Sequence, residues 1–165
     1  MYKYFKKKLD FNIANYEIVH EINQNYAGWY SIFTDGSKIN SKVGCSFFDA
    51  KSVVGRMFKI KNNITIMAAE LVAIFMALVY VSSVNCNKVV VFSDSKSALL
   101  HLVKCIKGNR GIPVAYKLLN EVIKLILKGV AVKLQWVPSH LGIKGNEEAD
   151  KLARKVLVDG INLNI

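Results

Sequence analysis

The sequence predicts an α/β domain: a mixed five-stranded sheet, its first three strands antiparallel, flanked by helices. Three observations predict it. Residues 29–60 hold three short β-type runs separated by turn residues. Apolar helical stretches and β-branched stretches then alternate along the rest of the chain. Four carboxylates, Asp35, Glu70, Asp94 and Asp150, stand at the edges of these runs, where a buried sheet would gather them.

Residues 1–27 read as a basic, weakly ordered leader or linker with room for a short helix; they carry Lys6, Lys7, Lys8 and several asparagines. Residues 29–34 form the first strand, which runs into Asp35-Gly36-Ser37, where glycine permits a tight bend. Residues 43–48 are the second strand and 53–60 the third, with a turn at 49–51. Residues 67–84 are apolar all round, so that helix is expected to be buried. Residues 88–92 are a β-branched run bounded by polar residues, a buried strand. Asp94 and Ser95 open a helix reaching about Lys107, and a loop with Gly108 and Gly111 follows. Pro113 suits the first turn of the next helix, which reaches Leu127, and Gly129 caps it. Residues 131–137 are the fifth strand. After a loop with two glycines, residues 146–157 form a helix that sets Ala149, Leu152, Ala153, Val156 and Leu157 on one face. The domain is expected to span 28–158, with 159–165 as a short tail.

The 165 residues fit one domain, and 52% hydrophobic residues suit a packed core rather than disorder. Lys plus Arg number 23 against 12 Asp plus Glu, for a net charge of +11. That balance favours a polyanionic partner, although charge alone does not separate nucleic acid from a membrane surface. Residues 64–84 approach the ~20 residues of a membrane span. Glu70 inside them would cost ~2.5–3.5 kcal/mol near the bilayer centre, so a core helix is the expectation and no membrane is implied. Cys45, Cys86 and Cys105 are odd in number and lack metal-type spacing. They read as reduced thiols of a cytosolic or nuclear protein. No long apolar stretch follows the lysine-rich start, so no signal peptide is expected.

Acids are scarce: residues 28–165 hold nine. Asp35 at the end of the first strand and Asp94 at the carboxyl end of the fourth would converge if those strands are neighbours. Glu70, early in the apolar helix, could reach the same point. Asp150 lies one turn into the last helix, beside its apolar stripe. Taken singly, Asp35 also reads as a turn former, Asp94 as a helix N-cap, and Asp150 as part of a solvated face. Glu70 is harder to dismiss in this way, because its helix offers no polar face for it. Buried charges need a partner or a metal, and an oxygen-only set suits Mg2+ or Mn2+. His140 lies in the glycine-bearing loop, where a histidine either shuttles protons or is simply solvated.

The segments Phe33-Thr34-Asp35-Gly36-Ser37, Ala69-Glu70-Leu71, Phe92-Ser93-Asp94-Ser95, Trp136-Val137-Pro138-Ser139-His140 and Gly145-Asn146-Glu147-Glu148-Ala149-Asp150 together resemble the ribonuclease H family, in its order and spacing. The Pro-Ser-His loop and the Gly-Asn-Glu-Glu-Ala-Asp run after it are most similar to the ribonuclease H domains of non-LTR retrotransposons. The resemblance implies a ribonuclease H-like fold and cleavage of the RNA strand of an RNA–DNA hybrid. It makes Asp35, Glu70, Asp94 and Asp150 the metal-binding carboxylates and His140 a mobile loop histidine that assists product release. It implies two Mg2+ ions, with Mn2+ as a substitute, about 3.5–4 Å apart across the scissile phosphate, and products with 5′-phosphate and 3′-hydroxyl ends. Asn146 would orient the site. The hybrid is the implied partner, joined by a reverse transcriptase if the chain belongs to a longer polyprotein. Two positions that often contact ribose hydroxyls in the family are Ile66 and Met67 here. Backbone groups near Gly36, Ser37 and Ser95 are then the candidates for reading the 2′-hydroxyl. Lys104, Lys107 and Arg110 are candidate phosphate contacts. The alternative is a catalytically weak or inactive, retroelement-derived domain that binds hybrids.

Overall fold

The computed structural model describes residues 11–159 and 161–163, with side chains for 18–156 and 161–163. The elements run α1 (Phe11–Asn25), β1 (Tyr30–Ile39), β2 (Lys42–Asp49), β3 (Val54–Ile60), α2 (Ile66–Val81), β4 (Lys88–Ser93), α3 (Lys96–Ile106), α4 (Pro113–Leu127), β5 (Ala131–Trp136), α5 (Lys144–Asp159) and β6 (Ile161–Leu163). The strand order is β5-β4-β1-β2-β3-β6. β1, β2 and β3 pair antiparallel, as expected, while β4 lies parallel between β1 and β5. Among the described residues the sheet has six strands rather than five. β6, inside the expected tail, adds to β3 in parallel, pairing Phe58 with Ile161 and Ile60 with Leu163.

Side chains alternate across a strand, and β1 and β4 use both faces. Ile32, Val89 and Val91 enter one apolar cluster, with Leu71, Ile74 and Leu78 of α2, Leu102 of α3 and Leu118 of α4. Phe33, Val90 and Phe92 enter a second, with Ala149 of α5. Phe33 and Phe92 stack with ring centroids 4.8 Å apart. A strand buried on both faces has no polar alternation, which is why 89–92 reads as a continuous apolar run. α2 is buried through Ala68–Leu71 and on to Val81; no helix among the described residues is long and apolar enough to cross a membrane. α1 occupies much of the segment read as weakly ordered. Its Ile18, Val19 and Ile22, with Tyr26 and Trp29 beyond it, pack against the second cluster.

β1 is longer than its apolar run. It continues through Asp35, Gly36 and Ser37 to Ile39, with Asp35 opposite Ser46 and Gly36 opposite Cys45 of β2. The chain turns at Asn40, φ 56°, instead of at Gly36. Ladder pairing with β2 extends the strand past the point where its sequence turns polar. Glycine at 36 answers a different need. A Cβ there would stand 2.8 Å from the Glu70 backbone nitrogen and 3.1 Å from the Ala69 carbonyl carbon. The start of α2 therefore rests directly on the β1 backbone. α5 sits equally close on the other face: a Cβ on Gly44 would run into Val156, and one on Gly55 into Leu152.

Candidate active site and metal centre

Three elements deliver three carboxylates to one point. Asp35 stands in β1, and Asp94 follows Ser93, the last residue of the parallel neighbour β4. Ser95, not Asp94, caps α3: its Oγ accepts the Ala98 N–H at 3.4 Å. The Asp94 carboxylate is thereby released from capping. Its backbone carbonyl accepts from Trp136 Nε1 at 3.0 Å, which ties it to β5. Glu70 comes from α2, whose start is set by Thr65, the N-cap that accepts from Ala68 N at 3.2 Å. One carboxylate oxygen from each of Asp35, Glu70 and Asp94 lies within 4.8 Å of the others.

Asp150 lines the same open pocket of about 480 Å3, although it stands outside that tight trio. It is carried by α5, which Ser46 of β2 anchors through a 2.6 Å hydrogen bond to the Ala149 carbonyl. Its Oδ1 accepts from Arg154 Nε at 2.8 Å, one helical turn on.

The electrostatics follow from burial and crowding. Asp35 and Glu70 are each only 6% exposed. Burial, then the charges of Asp94 and Asp150, push Asp35 up to about 7. Burial, with Asp35 and Asp94 beside it, drives Glu70 well above the usual carboxylate range. Asp94 is raised as well, chiefly by burial, against the opposing hydrogen bond from Asn146. Glu70 Oε2 is buried and lacks a hydrogen-bond partner. Such an atom is costly as it stands. An oxygen-only donor set with one oxygen unspent fits a hard divalent cation.

The other expected residues divide. Asn146, 2% exposed, donates from Nδ2 to Asp94 Oδ2 at 3.3 Å, and its Oδ1 is left unpartnered. His140 lines the pocket from the loop after β5, at φ 55°. That is a left-handed conformation in which histidine is over-represented. Gly36, Ser37 and Ser95 line the pocket too. Lys104, Lys107 and Arg110 do not. They are exposed around the far end of α3, and eleven residues of helix put about 16 Å between its ends. Ile66, noted in the sequence for the ribose contact its side chain cannot make, lines the pocket, as do Lys38, Ile39, Ser139 and Arg154, to which the sequence assigned no role. For Arg154 a signal existed: it stands four residues after Asp150, on the same helix face.

The family model for RNase H matches residues 28–158. Among solved structures, the chain is similar to the N-terminal RNase H domain of Rv2228c from Mycobacterium tuberculosis, solved as a fusion with maltose binding protein. That match has a TM-score of 0.58 and 19% identity, and covers 78% of this chain and 94% of that one. It is also similar to RNase H1 from the halophilic archaeon Halobacterium salinarum NRC-1, with a TM-score of 0.57 and 22% identity over 81% of this chain and 100% of that one. At these identities the structural likeness speaks for the fold. With the family model spanning most of the chain, three carboxylates converging beside a mixed sheet are those of a protein that belongs to the RNase H family.

Proposed function

We propose that the chain is a metal-dependent endonuclease that hydrolyses the RNA strand of RNA–DNA hybrids and leaves 5′-phosphate and 3′-hydroxyl ends. The observation that carries this reading is the buried trio Asp35, Glu70 and Asp94, with an unsatisfied Glu70 oxygen at an open pocket. Asp35, Glu70, Asp94 and Asp150 would hold two Mg2+ ions, with Mn2+ as a substitute. Ions held there would supply a lowered pKa for an attacking water and positive charge to offset that on the leaving oxygen. The protein's own contribution is position. Asn146 and Trp136 hold Asp94 from two sides, so its carboxylate is oriented before any ligand arrives. Gly36, Ser37 and Ser95 line the pocket where a ribose hydroxyl would sit. Ile66 offers no hydrogen bond there, so backbone groups carry the discrimination between RNA and DNA. Lys104, Lys107 and Arg110 are proposed to meet phosphates further along the duplex, in keeping with the net charge of +11. The catalytic unit of this reading is residues 28–158, and three cysteines, odd in number and without metal-type spacing, fit a reducing compartment. The Pro138-Ser139-His140 loop and the Gly-Asn-Glu-Glu-Ala-Asp run after it support a non-LTR retrotransposon origin, with a reverse transcriptase as partner if the chain belongs to a longer polyprotein.

The test is a labelled hybrid incubated with purified protein and Mg2+ or Mn2+. The RNA strand shortens, the DNA strand is spared, and EDTA stops the reaction. Equal cutting of duplex DNA would sink the hybrid-specific reading. Tight hybrid binding without cleavage would favour the binding-domain alternative.

His140 is proposed as the loop group that moves a proton and assists product release. It reaches the pocket from a loop and stands near enough to Asp94 to help hold that carboxyl's pKa down against burial. His140→Ala is expected to slow turnover by ~10^2–10^4-fold, as loss of a general acid or base does. Hybrid affinity should hardly change. A collapse of binding would mark His140 as a substrate contact.

A further inference from the structure

The pocket carries a cation that the metal-centre reading leaves without a role. Arg154 lines the pocket beside Asp35, Glu70, Asp94 and Asp150. Its Nε donates to Asp150 Oδ1 at 2.8 Å, and its side chain remains 60% exposed. Its charge is felt at Asp35, whose carboxylate it favours in the ionised form. Lys38, the other strong cation at the pocket, donates to the Ile64 carbonyl at 2.9 Å. Among the described residues, Arg154 thus forms the ion pair with this carboxylate cluster.

We propose that Arg154 is an internal countercation of the metal centre: it occupies Asp150 while the site is metal-free and gives up that carboxylate when a divalent ion binds, so it sets the metal concentration at which the site fills. The inference rests on the metal-centre reading. The physical case has three parts. First, carboxylates held this close repel one another, and a guanidinium one helical turn away offsets part of that repulsion. Second, the pair is open to solvent, and ion pairs of that kind are weak, so an entering divalent ion can displace it. Third, a fixed positive charge beside an incoming cation disfavours that cation, and an oxygen bonded to Nε–H is less available to it. Arg154 therefore steadies the empty site and weakens the filled one. A residue that merely oriented Asp150 for the metal, as many supporting groups orient ligands, would act in the opposite sense.

Titration calorimetry with Mn2+ on the full chain separates these. Arg154→Gln is expected to tighten Mn2+ binding by about three- to tenfold and to lower the melting temperature of the metal-free protein. Arg154→Lys keeps the charge and should stay within about twofold of wild type. In an Asp150→Asn background the effect of Arg154→Gln should shrink, because its partner charge is gone. Unchanged or weaker Mn2+ binding by Arg154→Gln overturns the proposal and makes Arg154 an orienting or bystander group. Absence of Mn2+ binding by the wild type itself would overturn the metal-centre reading, and this inference with it.

Discussion

Asp35→Asn is expected to abolish turnover while raising the melting temperature of the metal-free protein at pH 8. The two effects have one cause. Asp35 stands in β1 with Glu70 and Asp94 within 4.8 Å at their nearest oxygens, and a neutral amide cannot replace an anionic oxygen for a divalent ion. Without metal the same carboxylate is a burden. Its pKa rises from an ordinary 3.8 to about 7, so the folded state holds a proton that the unfolded chain would lose. Well below 3.8 both states are protonated and no penalty exists. As pH rises the unfolded chain ionises first, the penalty grows, and above about 7 it is complete. The amide carries no such penalty. Shared among coupled carboxylates, the gain at pH 8 should be ~1–3 kcal/mol, roughly 3–10 °C for a chain of this length. It should fade toward pH 4, and saturating Mg2+ should narrow it by stabilising the wild type. Thermal melts at pH 4, 6 and 8, beside a hybrid cleavage assay, check both halves. Near-wild-type cleavage would remove Asp35 from the principal ligands. An equal thermal gain at pH 4 and 8 would show that charge is not the reason.

Gly36→Ala should damage both fold and site, although it adds a single methyl group. The new Cβ would meet backbone: the Glu70 nitrogen at 2.8 Å and the Ala69 carbonyl carbon at 3.1 Å. Backbone in a helix start cannot swing aside as a side-chain tip can. Either α2 lifts from β1 or β1 bends away, and overpacking of this kind costs about 1–3 kcal/mol. Lifting α2 withdraws Glu70 from Asp35 and Asp94. The variant should melt several degrees lower, bind Mn2+ more weakly, and lose most hybrid cleavage. Ser37→Ala is the control, since it adds no atom at the contact and should melt like the wild type. A fully stable and active Gly36→Ala would mean that α2 does not rest on β1 as closely as described.

Elements governed by local pattern were legible in the sequence. α4 announces itself with Pro113 at its start and Gly129, φ 83°, just past its end, because both residues meet demands made by the helix alone. α2 is legible from its all-round apolarity, and β4 from its β-branched run. The four carboxylates were legible as motifs: Asp35 and Asp94 follow strand-like apolar runs, Glu70 interrupts an apolar helix, and Asp150 borders the apolar stripe of the last helix. What escaped were features decided by a partner distant along the chain. β6 has three residues and no pattern of its own; its pairing with β3 makes it a strand. α1 depends on the cluster of Phe33, Phe92 and Val137, against which Ile18, Val19 and Ile22 pack. Gly36 looks like a bend residue because glycine permits a bend, yet its reason for being glycine is a helix that arrives thirty residues later. The same holds at the pocket. That Asp35, Glu70 and Asp94 are acidic is a property of the sequence. That they approach within 4.8 Å, that Glu70 keeps an unpaired oxygen, and that Asp150 is held by Arg154 were decided only by tertiary structure. Distances between side chains on β1, α2, β4 and α5 depend on how those elements pack, and no local propensity encodes that packing.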